Sequence, residues 1–234
     1  MRLDKLLCEL NIGTRSEVKT LLKKGLIKVN GQIIKKPEEK VDEFATVISY
    51  NGHDFSYEKY RYYMMNKPSG VISATEDGSD RTVLDVFHSF LPDEKCDDLF
   101  PVGRLDKDTV GLLILTNDGQ LAHDWLSPKK HVDKKYFVKL DKNLSPDAIS
   151  QLEQGVSIGE GDLTMPCHVE QLADTECFIT IQEGKFHQVK RMFFAVGLEV
   201  IYLKRISMGP VILDENLKEG EVRKMLPSEL FFNK

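Results

Sequence analysis

Leu3, Leu6, Leu7 and Leu10 recur at helical spacing, and Gly13 closes that first helix. Thr14 then caps a second helix, with Glu17 three residues on completing a capping box; the helix runs to about Lys24 and ends at Gly25. The period changes from 3.6 to 2 in LIKVNGQII, where apolar residues alternate around Asn30-Gly31, a strong two-residue hairpin signal. Residues 51–60 (NGHDFSYEKY) are polar and turn-prone and read as a linker. YRYYMMNKPSGVIS then opens as an aromatic strand broken by Pro68 and Gly70, and Val83, Val86, Phe87 and Phe90 make a helical stripe. Leu112–Leu115 form a strand, and Asn117-Asp118-Gly119 turns into a helix ending near Leu126. Further on, 136–140 alternates as a strand, 147–154 reads as a helix and 167–182 as two short strands. GKFHQVKRMFFAVG is a loop feeding a helix closed by Gly197, before final strands at about 199–206 and 210–213. Interspersed helices and tightly connected strands predict an α+β fold: a small module of two helices plus a hairpin (1–59), then a body with a mainly antiparallel mixed sheet flanked by helices (60–234).

A chain of 234 residues is long enough for a sizeable core. No run approaches the ~18 apolar residues of a membrane helix. The charged N-terminus lacks a signal-peptide core, so the cytoplasm is the expected compartment. Cys8, Cys96, Cys167 and Cys177 form no C-x-x-C pair and read as reduced, mostly buried thiols. The net charge of −5 hides an asymmetry, because residues 1–36 carry nine Lys/Arg against three acids. A small basic module on an acidic body is a footprint of nucleic-acid binding, and the overall acidity argues against binding any polyanion indiscriminately.

Three stretches could carry chemistry. In GRLDKDTVGLLILTNDG, Asp106 sits beside Lys107 and two residues from Arg104; cationic neighbours favour an ionised carboxylate, suited to a nucleophile or general base, though a structural salt bridge is the alternative. Asp106-Lys107-Asp108 also matches a D-x-D metal pattern, but Arg104 and Lys107 are poor company for a cation. No phosphate loop or dinucleotide fingerprint occurs. In SPKKHVDKKYFVKL, Lys129, Lys130, Lys134 and Lys135 lead to Tyr136, and basic residues beside an aromatic can hold a phosphate backbone while a base stacks; the alternative is a solvated turn before a core tyrosine. In EGKFHQVKRMFFAVG, Lys185, His187, Lys190 and Arg191 surround a helix N-terminus, and His187 reads as a hydrogen-bonding group.

Together these segments resemble the pseudouridine synthases, and specifically the RsuA branch that modifies small-subunit ribosomal RNA. The resemblance spans essentially the whole chain: MRLDKLL…TRSEVKTLLKKGLIKVNG resembles an S4 RNA-binding domain, and RYYMMNKPSGVIS, GRLDKDTVGLLILTNDG, HVDKKYFV and EGKFHQVKRMFFAVG match four ordered motifs of the catalytic domain. It implies that Asp106 is the nucleophilic aspartate, that Tyr136 packs on the target base, and that Lys190 ion-pairs with the aspartate. It further implies that Leu203 lines the pocket and that Arg104 helps hold the flipped nucleotide's place; Asp108 has no catalytic counterpart and reads as loop structure. The implied reaction turns uridine into pseudouridine without cofactor or metal, with Asp106 either attacking C1′ or removing the C2′ proton, in 16S ribosomal RNA at the uridine conventionally numbered 516. Arg2, Arg15, Lys19, Lys23, Lys24 and Lys28 of the first module, with Lys129, Lys130, Lys134, Lys135 and Arg191, are the expected RNA contacts of a monomer acting on a small-subunit assembly intermediate. Competing readings are a sister enzyme acting on 23S ribosomal RNA, a non-catalytic RNA-binding assembly factor, and a metal-dependent transferase using the D-x-D pair.

Overall fold

The computed structural model describes residues 1–159 and 161–230 and forms two compact units, Met1–Tyr60 and Arg61–Lys234. In the first, α1 (Leu3–Glu9) buries Leu3, Leu6 and Leu7 against Val18 and Leu22 of α2 (Arg15–Lys23). The capping box forms: the Thr14 amide donates to the Glu17 carboxylate at 2.7 Å, and the Glu17 amide to Thr14 Oγ1 at 3.5 Å. Asn30 and Gly31, both at positive φ, turn β1 (Lys28–Val29) into β2 (Gln32–Ile33). The stretch read as a linker is instead half of a second hairpin. Asn51-Gly52 repeats the same left-handed turn and joins β3 (Val47–Tyr50) to β4 (His53–Ser56), giving a sheet ordered β2-β1-β3-β4. Strand β4 is polar because it is an edge with one face in water; only Phe55 of its four residues packs on the core.

The second unit is built on one sheet. Its strands are β5 (Tyr62–Lys67), β6 (Phe100–Pro101), β7 (Val110–Thr116), β8 (Lys134–Leu140), β9 (His168–Ala173), β10 (Glu176–Ile181), β11 (Val200–Met208), β12 (Val211–Ile212) and β13 (Val222–Lys224). They are ordered β13-β5-β7-β11-β8-β10-β9, with β6 on β7 and β12 on β11. Every pairing is antiparallel except β7 with β11. The helices are α3 (Val83–Phe90), α4 (Gly119–Leu126), α5 (Pro146–Gln154) and α6 (Gln188–Ala195).

All seven residues of β7 are buried, because both faces of the sheet are covered at that point. Leu113 and Leu115 join the core that holds Val83 and Phe87 of α3 and Met192 and Phe193 of α6; Leu112 and Ile114 join a second core with Leu121 and Trp125 of α4. A strand buried on both sides reads as a continuous apolar run, which is what VGLLILT is. Gly111, at φ +101°, permits the parallel pairing, since a Cβ there would run into the backbone of Arg205. Among the described residues no helix is long and apolar enough to cross a membrane.

Candidate active site

The site assembles where the β6–β7 loop, strands β8 and β11 and the start of α6 converge. Asp106 lies in the loop, three residues before Thr109, whose amide donates to the Asp106 carbonyl at 3.1 Å and closes a tight turn. What fixes that turn is Lys67, at the end of β5. Its side chain has no exposed surface, and its ammonium donates to the carbonyls of Pro68 (3.2 Å), Asp106 (3.1 Å), Lys107 (3.2 Å) and Thr109 (2.9 Å). Burial pushes the Lys67 ammonium down to about 8, against the opposing pull of Asp108 and Asp106. One buried cation therefore clamps the backbone that follows the Asp106 side chain, from the Asp106 carbonyl to that of Thr109.

The Asp106 carboxylate faces α6. Lys190 Nζ stands 3.3 Å from Oδ2, and His187 Nε2 stands 3.6 Å from Oδ1. Of the cations adjacent in sequence, Lys107 turns away to pair with Asp80 at 2.6 Å. Lys190 is also shared, since it sits 2.5 Å from Asp108 Oδ1. Partial burial pushes the Asp108 carboxyl up, but the hydrogen bond and charge of Lys190 outweigh it and hold the group below the ordinary carboxylate range. Asp108 is thus not merely loop structure, because it and Asp106 share one ammonium.

Asp106 opens into a pocket lined by Arg104, Thr109, Tyr136, His187, Gln188 and Leu203. Tyr136 points inward because β8 alternates, with Lys134, Tyr136, Val138 and Leu140 on the buried face; Leu203 comes from the adjacent strand β11. The structure therefore brings Asp106, Tyr136, Leu203 and Arg104 around one cavity, with Lys190 paired to the Asp106 carboxylate beside it, although they are up to about a hundred residues apart in sequence. It adds Lys67 and His187. No local signal marked Lys67, because every residue of β5 is buried and its strand carries no alternation; nothing but proximity to Lys190 pointed to His187.

Four of the expected RNA contacts are committed to partners within the chain. Lys134 is 6% exposed and donates to the Val132 carbonyl at 3.0 Å, so it faces the core. Lys135 pairs with Glu170 at 3.1 Å and lies over the Phe178 ring. Arg191 donates to the Ile158 carbonyl from Nε (2.9 Å) and Nη2 (2.5 Å) and to the Phe186 carbonyl from Nη1 (3.1 Å), tying two loops together. Arg2 makes a two-pronged contact with buried Asp4, both bonds 3.0 Å. Arg15, Lys19, Lys23, Lys24, Lys28, Lys129 and Lys130 are exposed.

Residues 61–195 match the family model described as RNA pseudouridylate synthase, and residues 1–47 match that of the S4 domain. A Bacillus subtilis protein named uncharacterized RNA pseudouridine synthase YtzG is 49% identical, over 98% of this chain and 97% of that protein. Ribosomal small subunit pseudouridine synthase A of Vibrio cholerae is 41% identical over 98% of each. A solved structure described as a pseudouridylate synthase superposes with a TM-score of 0.68 at 36% identity, covering 98% of each chain.

Proposed function

Because the chain belongs to the RNA pseudouridylate synthase family, we propose that it isomerises one uridine of small-subunit ribosomal RNA, at the position conventionally numbered 516, with Asp106 as the catalytic carboxylate. The observation that carries this reading is the Asp106 carboxylate set 3.3 Å from Lys190 at the mouth of a pocket walled by Tyr136 and Leu203. The small-subunit target is supported by full-length likeness to Ribosomal small subunit pseudouridine synthase A of Vibrio cholerae.

A uridine stacked in RNA must leave the stack to reach such a pocket, which costs a few kcal/mol, least where the base is already unpaired. Stacking of the uracil on the Tyr136 ring offsets part of that cost. Asp106 then acts at the ribose, the N1–C1′ bond breaks, and the uracil turns within the pocket. A C5–C1′ bond forms, the C5 proton leaves and N1 takes up a proton. Reactant and product have the same atoms and oxidation state, so the proposed reaction consumes no oxidant, reductant or group donor. Lys190 and Lys67 both set the carboxylate's position, one through its side-chain oxygens and one through its backbone. The exposed lysines of the S4 unit supply sequence-independent attraction to phosphates. The acidic second unit favours a target presented on a protein-bearing particle, so the substrate is an assembly intermediate of the small subunit, met in the cytoplasm by a monomer.

Pseudouridine mapping of small-subunit ribosomal RNA from cells lacking this chain tests the assignment. The expected result is loss of one pseudouridine, at 516, restored by the wild-type chain. An unchanged small-subunit map, or a site lost from the large-subunit RNA, removes the target.

A further inference from the structure

Phe186 is 75% exposed, although it sits one residue from His187 at the edge of the catalytic pocket. A lone exposed apolar side chain needs no explanation when it is mobile, but this one is held. Its ring stacks on the His187 imidazole, centroids 3.8 Å apart and planes 17° from parallel. Its carbonyl accepts from Arg191 at 3.1 Å. On one side the Lys185 amide donates to Gln188 Oε1 at 2.9 Å, while Gln188 Nε2 donates to Glu183 at 2.8 Å. The Lys185 ammonium reaches Asp162 at 3.1 Å and the Leu163 carbonyl at 2.8 Å. On the other side His187 takes a left-handed conformation, φ 48° and ψ 33°, uncommon for a non-glycine residue and favoured at histidine over most others. Glu183, Lys185, Gln188 and Arg191 together fix a loop whose effect is to present one face of an aromatic ring to water.

We propose that the exposed face of Phe186 is a stacking platform for the nucleobase next to the target uridine. The inference rests on the uridine-isomerising reading of the site. Removing the target base from its stack bares one face of its neighbour, and a ring fixed at the pocket's rim can take the place of the lost partner. The order is then neighbouring base, Phe186, His187, with His187 Nε2 3.6 Å from Asp106. The column joins the strand outside the pocket to the carboxylate inside it. Because every base has a π-face, such a platform contributes affinity without reading sequence.

The test compares Phe186→Leu, Phe186→Ala and Phe186→Trp in the full chain, on ribosomal assembly intermediates and on total ribosomal RNA, following whichever uridine the wild type modifies. Leucine keeps apolar bulk but has no ring, so a structural role survives it and stacking does not. The expected result is a drop in kcat/KM of about 10- to 100-fold for Phe186→Leu and Phe186→Ala, with Phe186→Trp within about threefold of wild type. The wild type should quench 2-aminopurine placed beside the target and Phe186→Leu should not. Wild-type kcat/KM and quenching in Phe186→Leu would overturn the platform while leaving the isomerase reading intact. Wild-type modification confined to another RNA would overturn the target assignment, with the variant ratios on that RNA still deciding the platform. No modification of any RNA by the wild type would remove both.

Discussion

Replacing Lys67 by methionine tests whether the Asp106 turn is held from beneath. The change keeps an unbranched side chain one heavy atom shorter and removes its charge and its donors. In the native structure the ammonium serves four carbonyls at 2.9–3.2 Å. Hydrogen bonds to a charged group contribute about 1.5–3 kcal/mol each, so four contribute roughly 6–12 kcal/mol in gross. Against this stands the burial of the charge. Lys67 falls from 10.5 to about 8, and at about 1.4 kcal/mol per unit the penalty is on the order of 3 kcal/mol. Methionine removes both terms, and water entering a relaxed loop recovers part of the difference. The net loss should lie near the low end, about 3 kcal/mol, or roughly 6–12 °C in melting temperature for a unit of this size. Activity should suffer more than stability, because a displacement of about 1 Å in a catalytic group costs on the order of a hundredfold. Single-turnover pseudouridine formation by Lys67→Met should therefore fall at least about 100-fold. RNA affinity should stay within about threefold, since the native side chain offers no surface to a ligand. A variant that melts lower yet reacts at the wild-type rate would refute the idea that the clamp positions Asp106.

The same lysine gives a pH signature. Its folded value lies below its unfolded one, so between about pH 8 and 10.5 the unfolded chain binds more protons and this group's contribution to stability rises with pH. Over the same window the neutral amine keeps fewer donors for four carbonyls, so the single-turnover rate should fall with a midpoint at about 8. That limb should be missing from what activity Lys67→Met retains; an identical limb in both would assign it to another group. Asp108→Asn removes one of the two carboxylates sharing Lys190, and should lower the single-turnover rate less than tenfold, whereas Lys190→Met should lower it by more than a hundredfold; equal losses would mean that Asp108 and not Asp106 is the lysine's functional partner. Alanine at Lys19, Lys23 and Lys24 together should lower the slope of log affinity against log salt by about 2 while leaving the rate at saturating RNA unchanged. An unaltered slope would take those residues out of the RNA interface.

Much of this architecture is legible because it follows from short-range chemistry. The Thr14 capping box, the Asn30-Gly31 turn and the doubly buried run of β7 each carry their own signal. The second hairpin had the same signal in Asn51-Gly52, but an edge strand with solvent on one side has too few apolar residues to look like a strand. Lys134 was misplaced by composition where parity was informative: two residues before Tyr136 on an alternating strand, it shares the buried face. Arg191 looked like a phosphate ligand because a free arginine at a helix start is one, and only the folded chain brings the Ile158 carbonyl to it. Lys67 lay beyond local reading, since its role depends on a loop about forty residues downstream in the chain. The pairing of Asp106 with Lys190 was reached through resemblance of motifs, not through spacing.

The central claim is that Asp106 carries out the isomerisation, and it is tested most directly by tritium release. Uridine labelled at C5 loses its label when C5 bonds to C1′, so small-subunit ribosomal RNA so labelled reports each turnover. The wild-type chain should release about one tritium per RNA from an assembly intermediate. Asp106→Asn, with the wild-type melting temperature and RNA affinity, should release none. Release by Asp106→Asn at the wild-type rate would contradict the account.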